Sequence, residues 1–195
     1  MWRLRHALPA CFLGLLVLIV AAGTLLTGLH ADRMLRFGCV RRGVLYRSGQ
    51  PGTVGLQRLV DRYGIRTIVN LRSQAKVQGD PLGQEEMTFA RARRLRFFVL
   101  PLNDDPAKYV GEFLRIATDP ANRPVLVHCA AGKERTGLAV AVYRIAVQGW
   151  SRERALREMQ RNGLDPEENP KTWAFAKGYS PSGTPPVASE AEVPR

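Results

Sequence analysis

Between Ala7 and Leu29 the chain carries no charged side chain, and nearly every position from Leu8 onward is apolar. At ~1.5 Å of rise per helical residue such a run is about 34 Å long, enough to cross the hydrocarbon core of a bilayer. The pattern predicts an N-terminal transmembrane helix over residues 8–29, entered from a basic tail over 1–7 and left through a juxtamembrane linker over 30–42. The rival reading is a cleaved secretory signal, with Arg3 and Arg5 as its basic end and Val20-Ala21-Ala22 as the cleavage site. A signal core runs only ~7–15 residues. Here the apolar run continues through Leu25, Leu26 and Leu29, which favours the anchor.

Past the anchor, short apolar runs alternate with longer amphipathic ones. Gly43 to Ser48 reads as a strand, Val54 to Tyr63 as a helix stopped by Gly64, and Ile65 to Leu71 as a second strand. Gln84 to Leu95 reads as a helix, Phe97 to Leu102 as a strand, and Val110 to Thr118 as a short helix. Pro124 to His128 then forms a buried strand and Thr136 to Gln148 an apolar helix. Ser151 is placed to cap a helix from Arg152 to Arg161 that Gly163 stops, and a last helix is expected around Pro170 to Ala176. This order predicts an α/β domain over 43–177, a central, mostly parallel sheet flanked by helices. From 178 to 195 the composition turns to Ser, Gly, Pro and Glu, which predicts a disordered tail.

The 195 residues hold 29 Lys and Arg against 17 Asp and Glu, a net charge of +12. Residues 1–31 contain Arg3 and Arg5 but no acid, so most of that surplus sits on the folded domain. A basic domain suits anionic partners, and without a zinc-finger or RNA-binding signature nucleic acid is not expected among them. The arginines also bear on orientation. Arg3 and Arg5 favour a cytoplasmic N-terminus, whereas Arg33, Arg36, Arg41, Arg42 and Arg47 favour a cytoplasmic domain. Several of the latter fall inside the folded domain, so the expectation is a single-pass anchor with its domain outside the cytoplasm. Three scattered cysteines, Cys11, Cys39 and Cys129, do not make a disulfide framework or a four-ligand zinc site. Thiol chemistry must therefore rest on one residue.

That residue stands in the segment Val125-Leu126-Val127-His128-Cys129-Ala130-Ala131-Gly132-Lys133-Glu134-Arg135-Thr136-Gly137. An apolar strand runs through a short loop straight into a helix, and a helix N-terminus binds anions through free backbone N–H groups and the positive end of its dipole. The same field, with Arg135 nearby, favours the thiolate at Cys129. Arg135 adds a planar fork able to grip two phosphate oxygens, and Gly132 lets the loop turn its N–H groups inward.

The segment resembles the Cys-x5-Arg signature of the cysteine-dependent protein tyrosine phosphatase superfamily, in the form His-Cys-x-x-Gly-x-x-Arg-Thr. Tyr46-Arg47-Ser48-Gly49-Gln50-Pro51 and Ile68-Val69-Asn70-Leu71-Arg72 resemble the small dual-specificity-like phosphatases of bacteria, fungi and plants. The resemblance spans about residues 40–177. It implies a dual-specificity phosphatase-like fold and phosphomonoester hydrolysis through a phosphocysteine, with no metal and no organic cofactor. Cys129 would be the nucleophile, Arg135 the grip on the equatorial oxygens, Thr136 an aid to the second step and His128 a support of the loop. Ala130, Ala131, Gly132, Lys133, Glu134 and Arg135 would bind the phosphate.

The family's acid is an aspartate after the strand preceding the signature strand, where Asn103-Asp104-Asp105-Pro106 stands here. Asp105 is favoured over Asp104, with Glu112 a weaker substitute, although an aspartate there also suits a helix N-cap. Lys133 is expected to add charge at the pocket floor. Gly-Lys-x-Arg-Thr-Gly resembles loops acting on phosphoinositides or inositol phosphates and also those of protein phosphatases, so both substrate classes are implied. Arg47 and Arg72 are expected in structural ion pairs, and Arg91, Arg93, Arg94 and Arg96 on a solvated face or against an anionic bilayer. A binding module that holds phosphorylated partners without turnover is the rival function, but such proteins usually lack the nucleophile or the arginine. Rhodanese and arsenate reductase loops differ in length or position, and Thr136-Gly137 favours the phosphatase. A regulatory disulfide between Cys39 and Cys129 is the less expected fate of Cys39.

Overall fold

The computed structural model describes residues 14–20 and 35–181. Residues 14–20 are helical (α1), with Leu15, Leu16, Leu18 and Ile19 exposed. The rest of the expected span and most of the expected tail lie outside the described residues. Among the described residues no helix is long and apolar enough to cross a membrane.

The domain follows the order β1 (Gly38–Arg41), β2 (Leu45–Ser48), α2 (Thr53–Tyr63), β3 (Thr67–Asn70), α3 (Gln74–Gly79) and α4 (Pro81–Ala92). Then come β4 (Arg96–Val99), α5 (Pro106–Thr118), β5 (Val125–His128), α6 (Glu134–Ala146), α7 (Arg152–Arg161) and α8 (Pro170–Gly178). The sheet order is β1-β2-β5-β3-β4, with β2, β5, β3 and β4 parallel and β1 antiparallel on the edge.

Period-2 alternation along the central strands supplies the core with two faces. Val125, Val127 and Val69 join a cluster with Phe113 of α5 and Leu138 and Tyr143 of α6. Leu126, Ile68 and Tyr46 point the other way, toward Leu56 and Leu59 of α2 and Ala90 of α4. Helix α6 is buried continuously from Thr136 to Arg144, because α7 and α8 cover the side that the sheet does not. An apolar helix without a polar stripe needs such enclosure.

Several boundaries differ from the sequence expectation. The linker expected over 30–42 contributes β1, because Val40 is buried in the first cluster and Gly43, at φ 69°, closes the turn back into β2. Four residues, two of them Gly and Arg, present too little alternation to reveal such a strand. Helix α3 has only six residues and one buried side chain, Val77, so it too leaves no pattern. The last helix runs to Gly178, and Tyr179 packs on the first cluster, so the folded domain extends past 177. Ser151 caps α7 as expected, its Oγ accepting from Arg154 N at 3.3 Å.

Parallel pairing brings the strand ends into line. His128 stands beside Ser48 on one side and Asn70 on the other, and Asn70 beside Val99. The loops after β2, β3, β4 and β5 therefore gather at the carboxyl edge of the sheet, where open α/β sheets place their ligand crevices.

Candidate active site

Cys129 leaves β5 at this edge, 2% exposed, and residues 130–133 carry the chain to the first turn of α6. Four consecutive carbonyls here are held from outside the loop's concave side. The His128 ring donates from Nδ1 to Cys129 O (3.2 Å), and Gln50 N donates to Ala130 O (2.9 Å). Arg36 Nη1 donates to Ala131 O (3.1 Å) and Arg47 Nη2 to Gly132 O (2.5 Å).

A trans peptide sets its N–H opposite its C=O. The N–H groups of Ala130, Ala131, Gly132 and Lys133 therefore face away from those four donors, toward the mouth of the loop. None of them donates to a backbone carbonyl among the described residues. Successive N–H groups turned one way, at a helix N-terminus, form an anion cradle.

The glycines make this geometry possible. Gly132 has φ 72°, and a Cβ on it would lie 2.6 Å from Gly49 N and 2.9 Å from Ser48 C. A Cβ on Gly49 would lie 2.9 Å from Ala130 O. The turn after β2 and the loop after β5 are thus packed backbone on backbone, which no larger residue permits.

Arg135, in the first turn of α6, is half-buried, and its buried Nε donates to no group among the described residues. Its remaining donors are carried at the same helix end as the cradle. Thr136 is fully buried with Oγ1 3.4 Å from Ser48 O. Glu134 accepts from Thr172 Oγ1 (2.7 Å), which ties the loop to α8, so its carboxylate is engaged outside the cradle. The Lys133 stem lies beside Gly163, where an added Cβ would meet Lys133 Cε at 3.3 Å and Arg36 Nε at 3.4 Å.

Asp104 and Asp105 follow β4 at the same edge of the sheet, and both are exposed. Asp105 caps α5, accepting from Lys108 N at 3.1 Å. Asp104 carries no side-chain hydrogen bond or ion pair among the described residues. Glu112 stands further along α5, 3.8 Å from Arg115. Cys39 is an exposed free thiol on the edge strand, and among the described residues no His, Cys, Asp and Glu group could hold a metal.

Arg72 forms the expected ion pair, with Asp80 at 2.6 Å, and also donates to Gln50 Oε1 and Lys76 O. Arg47 does not: no carboxylate lies within 4.0 Å of it among the described residues. Sequence reasoning missed Glu86, which sits 2.8 Å from His128 Nε2 and accepts from Asn70 Nδ2 at 2.8 Å. It also missed Arg36 and Gln50 as holders of the loop. Gln50 lies in the Tyr46–Pro51 segment that carried the resemblance, whereas Glu86 follows another glutamate in a helix with polar flanks and gives no signal.

The chain is 30% identical over 143 residues to the dual specificity protein phosphatase TpbA of Pseudomonas aeruginosa, covering 71% of this chain and 61% of that protein. It is also 30% identical over 133 residues to an inositol diphosphatase of Arabidopsis thaliana, covering 65% and 61%. It thus spans about three fifths of the length of these relatives. The catalytic core of the yeast inositol pyrophosphate phosphatase Siw14 superposes with a TM-score of 0.63 at 26% identity, covering 74% of this chain and 85% of that one. TpbA in complex with phosphotyrosine superposes with a TM-score of 0.56 at 28% identity, covering 69% and 79%. Residues 39–176 match the family described as DSP-PTPase phosphatase fused to NAD+ kinase, and with the cradle and cysteine arranged as above the chain belongs to this family of DSP-type phosphatase domains.

Proposed function

We propose that this domain hydrolyses phosphomonoesters through a covalent phosphocysteine at Cys129. The observation that carries this reading is the set of four outward-held carbonyls, which turns the four N–H groups of the loop after Cys129 away from those donors and leaves them free for an anion. Preorganised donors of this kind stabilise charge developing on phosphoryl oxygens without reorganising during the reaction.

In the first step the Cys129 thiolate attacks phosphorus, and the S–P bond forms as the ester P–O bond breaks. Arg135 and the cradle hold the three non-bridging oxygens, and the leaving oxygen takes a proton from Asp104. In the second step water attacks phosphorus, gives its proton to the Asp104 carboxylate and releases phosphate and the thiolate. Asp104 is preferred because protonating Asp105 would give up its charged cap on α5.

Phosphotyrosine and inositol phosphates are the proposed monoester substrates, and inositol pyrophosphates, whose terminal P–O–P bond would break in the same attack on phosphorus, are proposed with them, in keeping with the dual specificity and inositol diphosphatase relatives. A single-pass anchor over 8–29 with the domain outside the cytoplasm is proposed from the uncharged apolar run and the arginine pattern. Protease accessibility in sealed vesicles tests that placement.

The activity is tested by metal-free phosphate release from phosphotyrosine peptides, phosphoserine peptides, phosphoinositides and inositol phosphates, each compared with Cys129→Ser. Release that requires Cys129 is expected. Folded protein that releases none from any of them would turn the reading toward a phosphate-binding module.

A further inference from the structure

Arg47 lies under the phosphate cradle without the partner that a buried arginine needs. It is 3% exposed, on β2 between Val127 of β5 and Gly38 of β1. One of its amino groups, Nη2, donates to Gly132 O, while Nε and Nη1 are buried with no hydrogen-bond partner among the described residues. The charged groups around it are Glu158, Cys129, Arg144 and Arg36. Both oxygens of Glu158 are already taken by Arg144, from Nε at 2.9 Å and Nη2 at 2.8 Å. Two buried guanidinium groups therefore share one carboxylate, and after Glu158 the other group whose negative charge favours the Arg47 cation is Cys129.

An uncompensated buried cation costs several kcal/mol, and replacing such groups by apolar ones is often neutral or stabilising. Burial accordingly holds the Arg47 guanidinium below the ordinary arginine range, an effect opposed by Glu158 and then by Cys129. A stability role alone gives no reason for this arrangement.

We propose that Arg47 is a positioning residue whose counter-anion is the reacting centre: the Cys129 thiolate at rest and the phosphoryl group held in the cradle during turnover. The same guanidinium fixes the Gly132 carbonyl, so one side chain couples the charge under the loop to the inward turn of the Lys133 N–H. This rests on the reading of Cys129 as the nucleophile.

The test uses a Cys11→Ser, Cys39→Ser background, so that iodoacetamide reports Cys129 alone. Arg47→Met removes charge and hydrogen bond at similar length, and Arg47→Lys keeps the charge. Arg47→Met is expected to match or exceed the background in urea stability, yet to lose about tenfold or more in alkylation rate at pH 6, with the rate at pH 9.5 unchanged, and about tenfold in orthovanadate affinity. Arg47→Lys is expected to stay within about threefold of the background in alkylation at pH 6. The proposal is overturned if Arg47→Met alkylates and binds vanadate as the background does, or if the Lys and Met variants are equally impaired. Should Arg47→Met not fold, Arg47→Lys decides: a tenfold loss at pH 6 overturns the proposal. Phosphate release by the background protein, measured alongside Cys129→Ser, separates the two ideas. Release independent of Cys129 defeats the functional reading, whereas Cys129-dependent release with an unimpaired Arg47→Met defeats only this one.

Discussion

Glu86 Oε1 lies 2.8 Å from His128 Nε2, and both side chains are at most 1% exposed. The other ring nitrogen faces Cys129 O, which only accepts, so the ring donates from Nδ1 and turns Nε2 to the Glu86 carboxylate. Asn70 Nδ2 holds the second carboxylate oxygen. The ring is thus aimed at the Cys129 carbonyl by a helix on the opposite face of the sheet from α6. Removing one member of such a pair leaves a buried polar group uncompensated.

Glu86→Ala is therefore expected to cost about 3–5 kcal/mol of folding stability, read by urea unfolding. Glu86→Gln, which can still donate to the ring nitrogen, should cost less and should keep more of the phosphatase activity. Equal effects of the two would show that the polar contact between Glu86 and His128 has no part in holding the loop.

Gly132→Ala should abolish turnover while Cys129 and Arg135 remain in place. Its Cβ would stand 2.6 Å from Gly49 N, in a conformation with φ 72° that L-residues rarely adopt. The loop must then shift and the N–H cradle with it. Orthovanadate affinity should fall at least about a hundredfold, in line with the loss of preorganised oxyanion donors. Unchanged affinity would mean that the backbone cradle is not the anion site.

Leu35 and Arg36, just before β1, are bonded into the loop region. Leu35 O accepts from Gly49 N at 2.6 Å, and Arg36 donates to Ala131 O. A protein beginning at residue 38 should therefore lose activity relative to one beginning at residue 32, chiefly in kcat. Arg36→Ala should account for part of that loss. Equal kcat for the two proteins would show that the segment preceding β1 does not support the loop.

Asp104→Asn should lower kcat by about 10²–10⁴ on alkyl phosphates, where the leaving oxygen needs a proton, and much less on p-nitrophenyl phosphate. Asp105→Ala should instead cost about 1 kcal/mol of stability through its lost cap on α5, with kcat little changed. The reverse pattern would move the acid to Asp105.

The order of strands and helices, the Gly64 and Gly163 stops and the Ser151 cap were legible in the sequence because each depends on near neighbours in the chain. So was the Cys129-to-Arg135 loop, since a strand running through a glycine-containing loop into a helix is a local pattern. Strand β1 and helix α3 were not, because four and six residues carry too little periodicity to stand out from a linker. What holds the loop in its working shape also lay beyond the sequence. Its four carbonyl partners come from positions 36, 47, 50 and 128, and the glutamate behind His128 comes from α4. Spacing along the chain does not encode which polar groups parallel pairing of β2, β3 and β5 will press together. A buried donor must find an acceptor wherever the sheet places it, and only the assembled sheet made Arg47 a donor to Gly132 O instead of one half of an ion pair.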